Sequence, residues 1–220
     1  MKVAGADVWK GRWIVVVLDD GHFDRAFVAA TIGDAVEAVP DAVAVGIDMP
    51  IGLPQPGQRR PADEQARKYV GPRWQAVFLT PSADLLEAES HKTANELATA
   101  DGRDGISAQA YALGVLILQV QPVAARDTRL HEVHPEVSFV TANGGTHLPW
   151  SKASWNGVNL RRRILDTHGI RIPEDLGPAG GAGVADLLDA AIAAWSASRI
   201  ATGRAERLPS GQERIGAIWR

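Results

Sequence analysis

Apolar and polar positions alternate most informatively at the start of the chain. Lys2-Val3-Ala4-Gly5-Ala6-Asp7 reads as a short apolar strand that stops at a carboxylate, and Trp13 to Leu18 is a second apolar run. Trp9-Lys10-Gly11-Arg12 joins them, and two such runs separated by a few residues containing Gly predict a hairpin. Asp19-Asp20-Gly21 then predicts a second tight turn into His22 to Val28, giving a three-stranded antiparallel meander with its first strand central. Thr31 is placed to cap a short helix, with Asp34 in the capping-box position and Pro40 ending it. Ala42 to Asp48 is an unbroken apolar run that again finishes in an acid, the pattern of a parallel strand buried on both faces.

Beyond Asp48 the pattern turns helical. Pro50 stops the strand, and Pro61 to Val70 predicts a helix with proline at its start and Gly71 at its end, carrying Asp63 and Arg67 on one face. Trp74 to Leu79 reads as a short strand or extended segment, and Ser82 to Leu86 and Thr93 to Ala100 as peripheral helices. Ser107 caps a long helix with Ala110, Leu113, Leu116, Ile117 and Val120 on its apolar face, ended by Pro122. Arg129 to Val133 is a short strand, Pro135 opens a helix through Phe139, and further helices are predicted at Ser154 to Thr167 and Val184 to Thr202. Ile215 to Trp219 is an edge strand or a packed tail. The fold class is α/β: one domain over 1–220, a mixed sheet flanked by helices, with a mostly helical insertion at about 55–127.

Composition narrows the chemistry. There is no cysteine, so disulfides, thiolate ligands and thiol nucleophiles are excluded. Lysine and arginine total 23 against 26 acids, a formal charge of −3 that gives no support to broad non-specific nucleic-acid binding. Neither a signal-peptide pattern nor an apolar run long enough for a membrane span is present, so a cytoplasmic protein is expected.

The candidate chemistry lies in the acids. Asp7 and Asp48 each end a predicted central strand, and carboxylates converging at one sheet edge would repel each other until a divalent cation relieved them. Asp186 and Asp189 share a face near the start of the last helix, amid apolar neighbours, and Glu132 and Glu136 flank a strand end. Four or five oxygen ligands without cysteine point to magnesium or manganese (Mg2+ or Mn2+), and two such ions about 4 Å apart suit phosphodiester cleavage. His131, His134, Glu136 and Lys152 are candidate supporting residues. Arg60, Arg67 and Arg161 are candidates for binding phosphate, and Trp9, Trp74, Trp150 and Trp155 for stacking on bases. Zinc chemistry on His131, His134 and Glu132 or Glu136 lacks the helical His-Glu-x-x-His spacing.

Several motifs together resemble a known family. Gly5-Ala6-Asp7, the run Gly46 to Pro54, Arg60 with Asp63, Ala66 and Arg67, Gly105-Ile106-Ser107 with Gln109, Glu132 with His134-Pro135-Glu136 and Phe139, Lys152, Gly157 and Arg161, and Asp186-Leu187-Leu188-Asp189-Ala190 resemble the family catalogued as domain of unknown function 429, over nearly the whole chain. The resemblance implies a ribonuclease H-like fold and the activity of a predicted nuclease. It implies Asp7 as the first-strand metal ligand, Asp48 as the acid after the next crossover, and Asp186 and Asp189 as the last-helix pair. It leaves Glu132 and Glu136 without a role by superfamily analogy. One departure stands out: Leu79-Thr80-Pro81-Ser82-Ala83 replaces an expected proline-rich segment with an arginine, so a substrate-positioning arginine is missing there. The expectation is a metal-dependent nuclease acting on DNA or RNA. An ATP-dependent phosphotransferase or ATPase and a non-enzymatic interaction protein are the alternatives, and both monomer and homodimer are left open.

Overall fold

A computed structural model describes residues 1–220. Strands β1 (Lys2–Trp9), β2 (Arg12–Asp19) and β3 (His22–Ala29) form the expected meander. Both hairpins close through two residues at positive φ, Lys10 and Gly11 in the first and Asp20 and Gly21 in the second. Such turns match the right-handed twist of the flanking strands. Helix α1 (Ile32–Glu37) starts at a complete capping box: the Asp34 N–H donates to Thr31 Oγ1, and the Thr31 N–H donates to the Asp34 carboxylate. Strand β4 (Ala42–Ile47) then lies parallel to β1, and after the helical insertion β5 (Leu130–Glu132) lies parallel to β4. The sheet order is β3-β2-β1-β4-β5, so β1 is central.

The insertion between β4 and β5 comprises α2 (Pro61–Val70), a 3-10 turn at Gly71–Ala76, α3 (Ala83–Leu86), α4 (His91–Ala100), α5 (Ala108–Ala112) and α6 (Gly114–Arg126). After β5 come α7 (Pro135–Ala142), α8 (Trp155–Thr167) and α9 (Val184–Ala201). Strand alternation sorts these helices to two faces. Ala4, Ala6, Val45 and Ile47 pack with α1 and the insertion, whereas Val3, Ile14, Val16 and Ala44 pack with α8 and α9. This mixed sheet, helix-covered with a helical insertion, is of the ribonuclease H-like type. No helix is long and apolar enough to cross a membrane.

Three local expectations are made definite or corrected. Residues 74–79 form no strand: Gly71 at φ 58° redirects the chain, Pro72 lacks a ladder donor, and a 3-10 turn results. The long helix expected from Ser107 is two, broken at Leu113, and the second runs through Pro122 to Arg126. Burial of Ala124 against the core beyond the proline holds that last turn despite the missing hydrogen bond. The C-terminal strand β7 (Ile218–Trp219) pairs with β6 (Arg207–Leu208) in a small separate sheet, and Trp219 meets the end of β5, bridging Val133 and packing against His131.

Candidate metal centre

The parallel pairing of β1 and β4 places their carboxyl ends side by side, with Ala6 opposite Ile47 and the Asp48 N–H donating to Ala6 O at 3.1 Å. Asp7 and Asp48 each lie one residue beyond these partners, and each lies two residues beyond a glycine. Gly5 and Asp7 share one face of the sheet, as do Gly46 and Asp48. That face meets α9. A Cβ on Gly5 would stand 2.0 Å from Ala194 N and 2.2 Å from Ala190 O, and one on Gly46 would stand 2.5 Å from Ala193 O. The two glycines therefore let the helix backbone lie against the sheet, and Ala190, Ala193 and Ala194 supply the matching small surface. Helix contact at this depth carries Asp189, one residue before Ala190, to the two strand-end acids.

Asp7, Asp48 and Asp189 each present a carboxylate oxygen within 4.8 Å of the others. Asp7 and Asp189 are buried, Asp48 is partly exposed, and all three border a pocket of about 430 Å³. Asp186, one helical turn before Asp189, lines the same pocket. The Val8 N–H donates to Asp7 Oδ1 at 2.7 Å and fixes that carboxylate. Lys152 Nζ donates to Asp189 Oδ2 at 2.5 Å.

Crowding shows in the protonation equilibria. Burial, followed by repulsion from Asp48 and Asp189, pushes Asp7 well above the ordinary carboxylate range. Burial likewise raises Asp48, with His134 and Lys152 pulling back, and raises Asp189 to about 6 against the attraction of Lys152. Burial also raises Asp186. For Lys152 burial works against the charge, but Asp189, Asp48 and Asp7 outweigh it and hold the ammonium above the ordinary lysine range. Three carboxyl groups thus crowd around one ammonium in a partly closed site. An all-oxygen, carboxylate-rich donor set of this kind fits a hard divalent cation.

The other expected site residues stand outside the converging triad. Glu132 borders the same pocket, but it pairs in register with Ile47, one residue out of phase with Asp48, and its carboxylate turns to the insertion side. There its Oε2 accepts from Arg60 Nη2 at 2.6 Å and from the Ile51 N–H at 2.7 Å, which anchors the loop after β4. Burial pushes Glu132 up to about 7, with Arg60 pulling back. Arg60 is 4% exposed and also meets Asp63 and Thr80, so it is a buried partner and not a phosphate ligand. Arg161 is fully buried and donates to Glu136 Oε1 at 2.5 Å, which removes it from any substrate surface. Arg67 donates to Val77 O and lies over the Trp74 ring.

His131 is set edge-on against Trp219, and burial lowers its pKa to about 4. His134 and Glu136 line the pocket near Asp48. Trp74, Trp150 and Trp155 are exposed, Trp155 the most at 81%. Arg73, last of the basic residues Arg59, Arg60, Arg67, Lys68 and Arg73, was not among the site candidates, yet it borders the pocket and lies 3.7 Å from Glu136 Oε2. The Gly71-Pro72 break just before it is the one sequence signal that the chain bends there.

Comparison with known proteins gives one match. The profile of the family described as "Protein of unknown function (DUF429)" matches residues 5–214. No curated protein and no solved structure matches the chain.

Proposed function

The chain belongs to the DUF429 family, and for this member we propose a divalent-metal-dependent nuclease that hydrolyses nucleic-acid phosphodiester bonds. The observation that carries the reading is the convergence of Asp7, Asp48 and Asp189, from two strand ends and one helix, within 4.8 Å at the border of a pocket. Asp7, Asp48 and Asp189 would hold Mg2+ or Mn2+, with Asp186 beside them in the pocket wall. A bound divalent cation supplies Lewis-acid charge to phosphodiester oxygens and lowers the pKa of water.

The chain's own residues have separable parts in this reading. Asp7, fixed by the Val8 N–H and lying between Asp48 and Asp189 in charge terms, would be the central ligand. Lys152 balances the acids through its bond to Asp189, which would be free to serve as a ligand if a cation took over that charge. Asp186, less buried than Asp189, reaches the solvent side of the site. Glu132 acts at a distance by holding Ile51, and through it the loop that follows Asp48.

Asp7→Asn removes the central charge with almost no change of shape. Cleavage of single- and double-stranded DNA and RNA should fall by at least about a hundredfold, while thermal stability stays within about 1 kcal/mol of the parent or improves. A purified Asp7→Asn protein that cuts as well as the parent overturns the assignment. Turnover of ATP with no cleavage of any nucleic acid moves the site to the phosphotransferase reading instead.

A further inference from the structure

The pocket that borders the acids has a second polar end whose atoms have no partner within the protein. Glu136 is 6% exposed, and its Oε1 is taken by Arg161, but its Oε2 is buried with no hydrogen bond. Arg73 Nε is also buried and unpaired, 3.7 Å from that oxygen, which is too long for a hydrogen bond between them. His134 Nδ1, from the residue before Pro135, is a third unpartnered atom. All three residues line the same pocket as Asp7, Asp48 and Asp189. Buried polar atoms normally find partners, so three orphans around one cavity mark where a ligand's polar groups belong.

The chemistry of two of these atoms, on Glu136 and Arg73, defines the ligand group. The Glu136 oxygen only accepts, and the Arg73 Nε–H only donates. A group with a donor and an acceptor side by side satisfies both at once, and the pairing edge of a nucleobase is such a group. Phe78, partly exposed in the same wall, offers an apolar face to a flat ring. The volume of about 430 Å³ lies near the small end of the range for ligand pockets, a cavity for one nucleotide unit and not a groove for a duplex.

We propose that Arg73, Glu136 and His134 form a base subsite that takes the pairing edge of a single unpaired nucleotide. The inference rests on the nuclease reading in placing a nucleotide's phosphate at the acids. It deepens that reading, because a pairing edge is free only in a mononucleotide or an unpaired stretch of strand.

Nucleosides test the subsite by itself, since they carry no phosphate and bind without metal. In EDTA, amide and side-chain NMR shifts of the full chain should move on adding nucleosides to about 10 mM, with changes centred on Arg73, Phe78 and Glu136. Arg73→Met, at a partly exposed position, should weaken that binding about tenfold with the fold retained, and Phe78→Leu should weaken it as well. No shift changes at these residues, or equal binding by Arg73→Met, overturns the proposal. Because no metal or cleavage enters this measurement, its failure is distinct from failure of the nuclease reading. A second arm compares nucleoside monophosphates, single strands and blunt duplexes with Ca2+ present. Tighter binding of single strands identifies unpaired strand as the source of the base, tighter binding of monophosphates identifies free nucleotides, and blunt duplexes bound as tightly as either overturn the proposal.

Discussion

Asp189 shows how one residue ties stability to cation binding. Its folded-state pKa of about 6 lies above the ordinary 3.8, so the folded protein holds this proton more tightly than the unfolded chain does. Its contribution to stability is therefore complete below the unfolded value and is lost as pH rises through about 6. Without divalent ions the group lowers the melting temperature as pH climbs from about 4 to about 7, and Asp189→Asn should flatten that part of the profile. Cation binding needs the ionised carboxylate, so the rise in melting temperature caused by Mg2+ or Mn2+ should be larger at about pH 8 than at about pH 5. Calorimetric melts with and without the ion at both pH values check this, and a metal response independent of pH contradicts it.

The same residue scale explains what the sequence made legible at the site. Asp7 and Asp48 stood out because each ends an apolar run, and the geometry brings them together. Glu132 also ends a strand and borders the same pocket, but it lies out of phase with Asp48, because strand register decides which face a terminal acid meets, and register is not written in one strand alone. Arg60 and Arg161 looked like surface cations, but their partners Glu132 and Glu136 are 72 and 25 residues away. Burial of that kind has no local pattern.

At the scale of elements, the close approach of α9 to β1 and β4 is the construction on which the acid triad depends. Gly5→Ala would place a methyl group 2.0 Å from the Ala194 backbone nitrogen, and neither strand nor helix can yield there without moving Asp7 or Asp189. The expected cost is about 3 kcal/mol or more, read as a lower urea midpoint, together with a weaker metal response. Parental stability in Gly5→Ala would show that the helix sits farther from the sheet. Helix starts at Thr31, Ser107 and Ser154 were legible because their caps are local, each accepting from an N–H three residues on, whereas the Ser90 cap was missed and that helix was expected to start only at Thr93. The segment at 74–79 was not, since its apolar residues suit a strand while the preceding Gly71 and Pro72 decide its path.

Across the whole molecule, one buried network joins the insertion to the sheet. Glu132 on β5, Arg60 and Asp63 at the start of α2, and Thr80 after the 3-10 turn are bonded together, with the Thr80 N–H donating to Asp63 at 2.7 Å. Glu132→Leu leaves Arg60 charged and buried beside a lost partner, so unfolding in urea should show a loss of about 3–5 kcal/mol. Loss of less than about 1 kcal/mol would mean that water reaches the guanidinium. The layered architecture followed from the sequence because its strands and helices have distinct periods. The linkage between layers did not, because it depends on contacts between residues far apart in the chain.

The third carboxylate of the triad comes from α9, at residue 189 of 220, and reaches its partners only by settling over Gly5 and Gly46. During synthesis the meander and β4 emerge long before that helix, so two strand-end acids wait with their counterpart still unmade. Metal affinity should thus arrive late and all at once, making cation capture a report that the newborn polypeptide has finished closing.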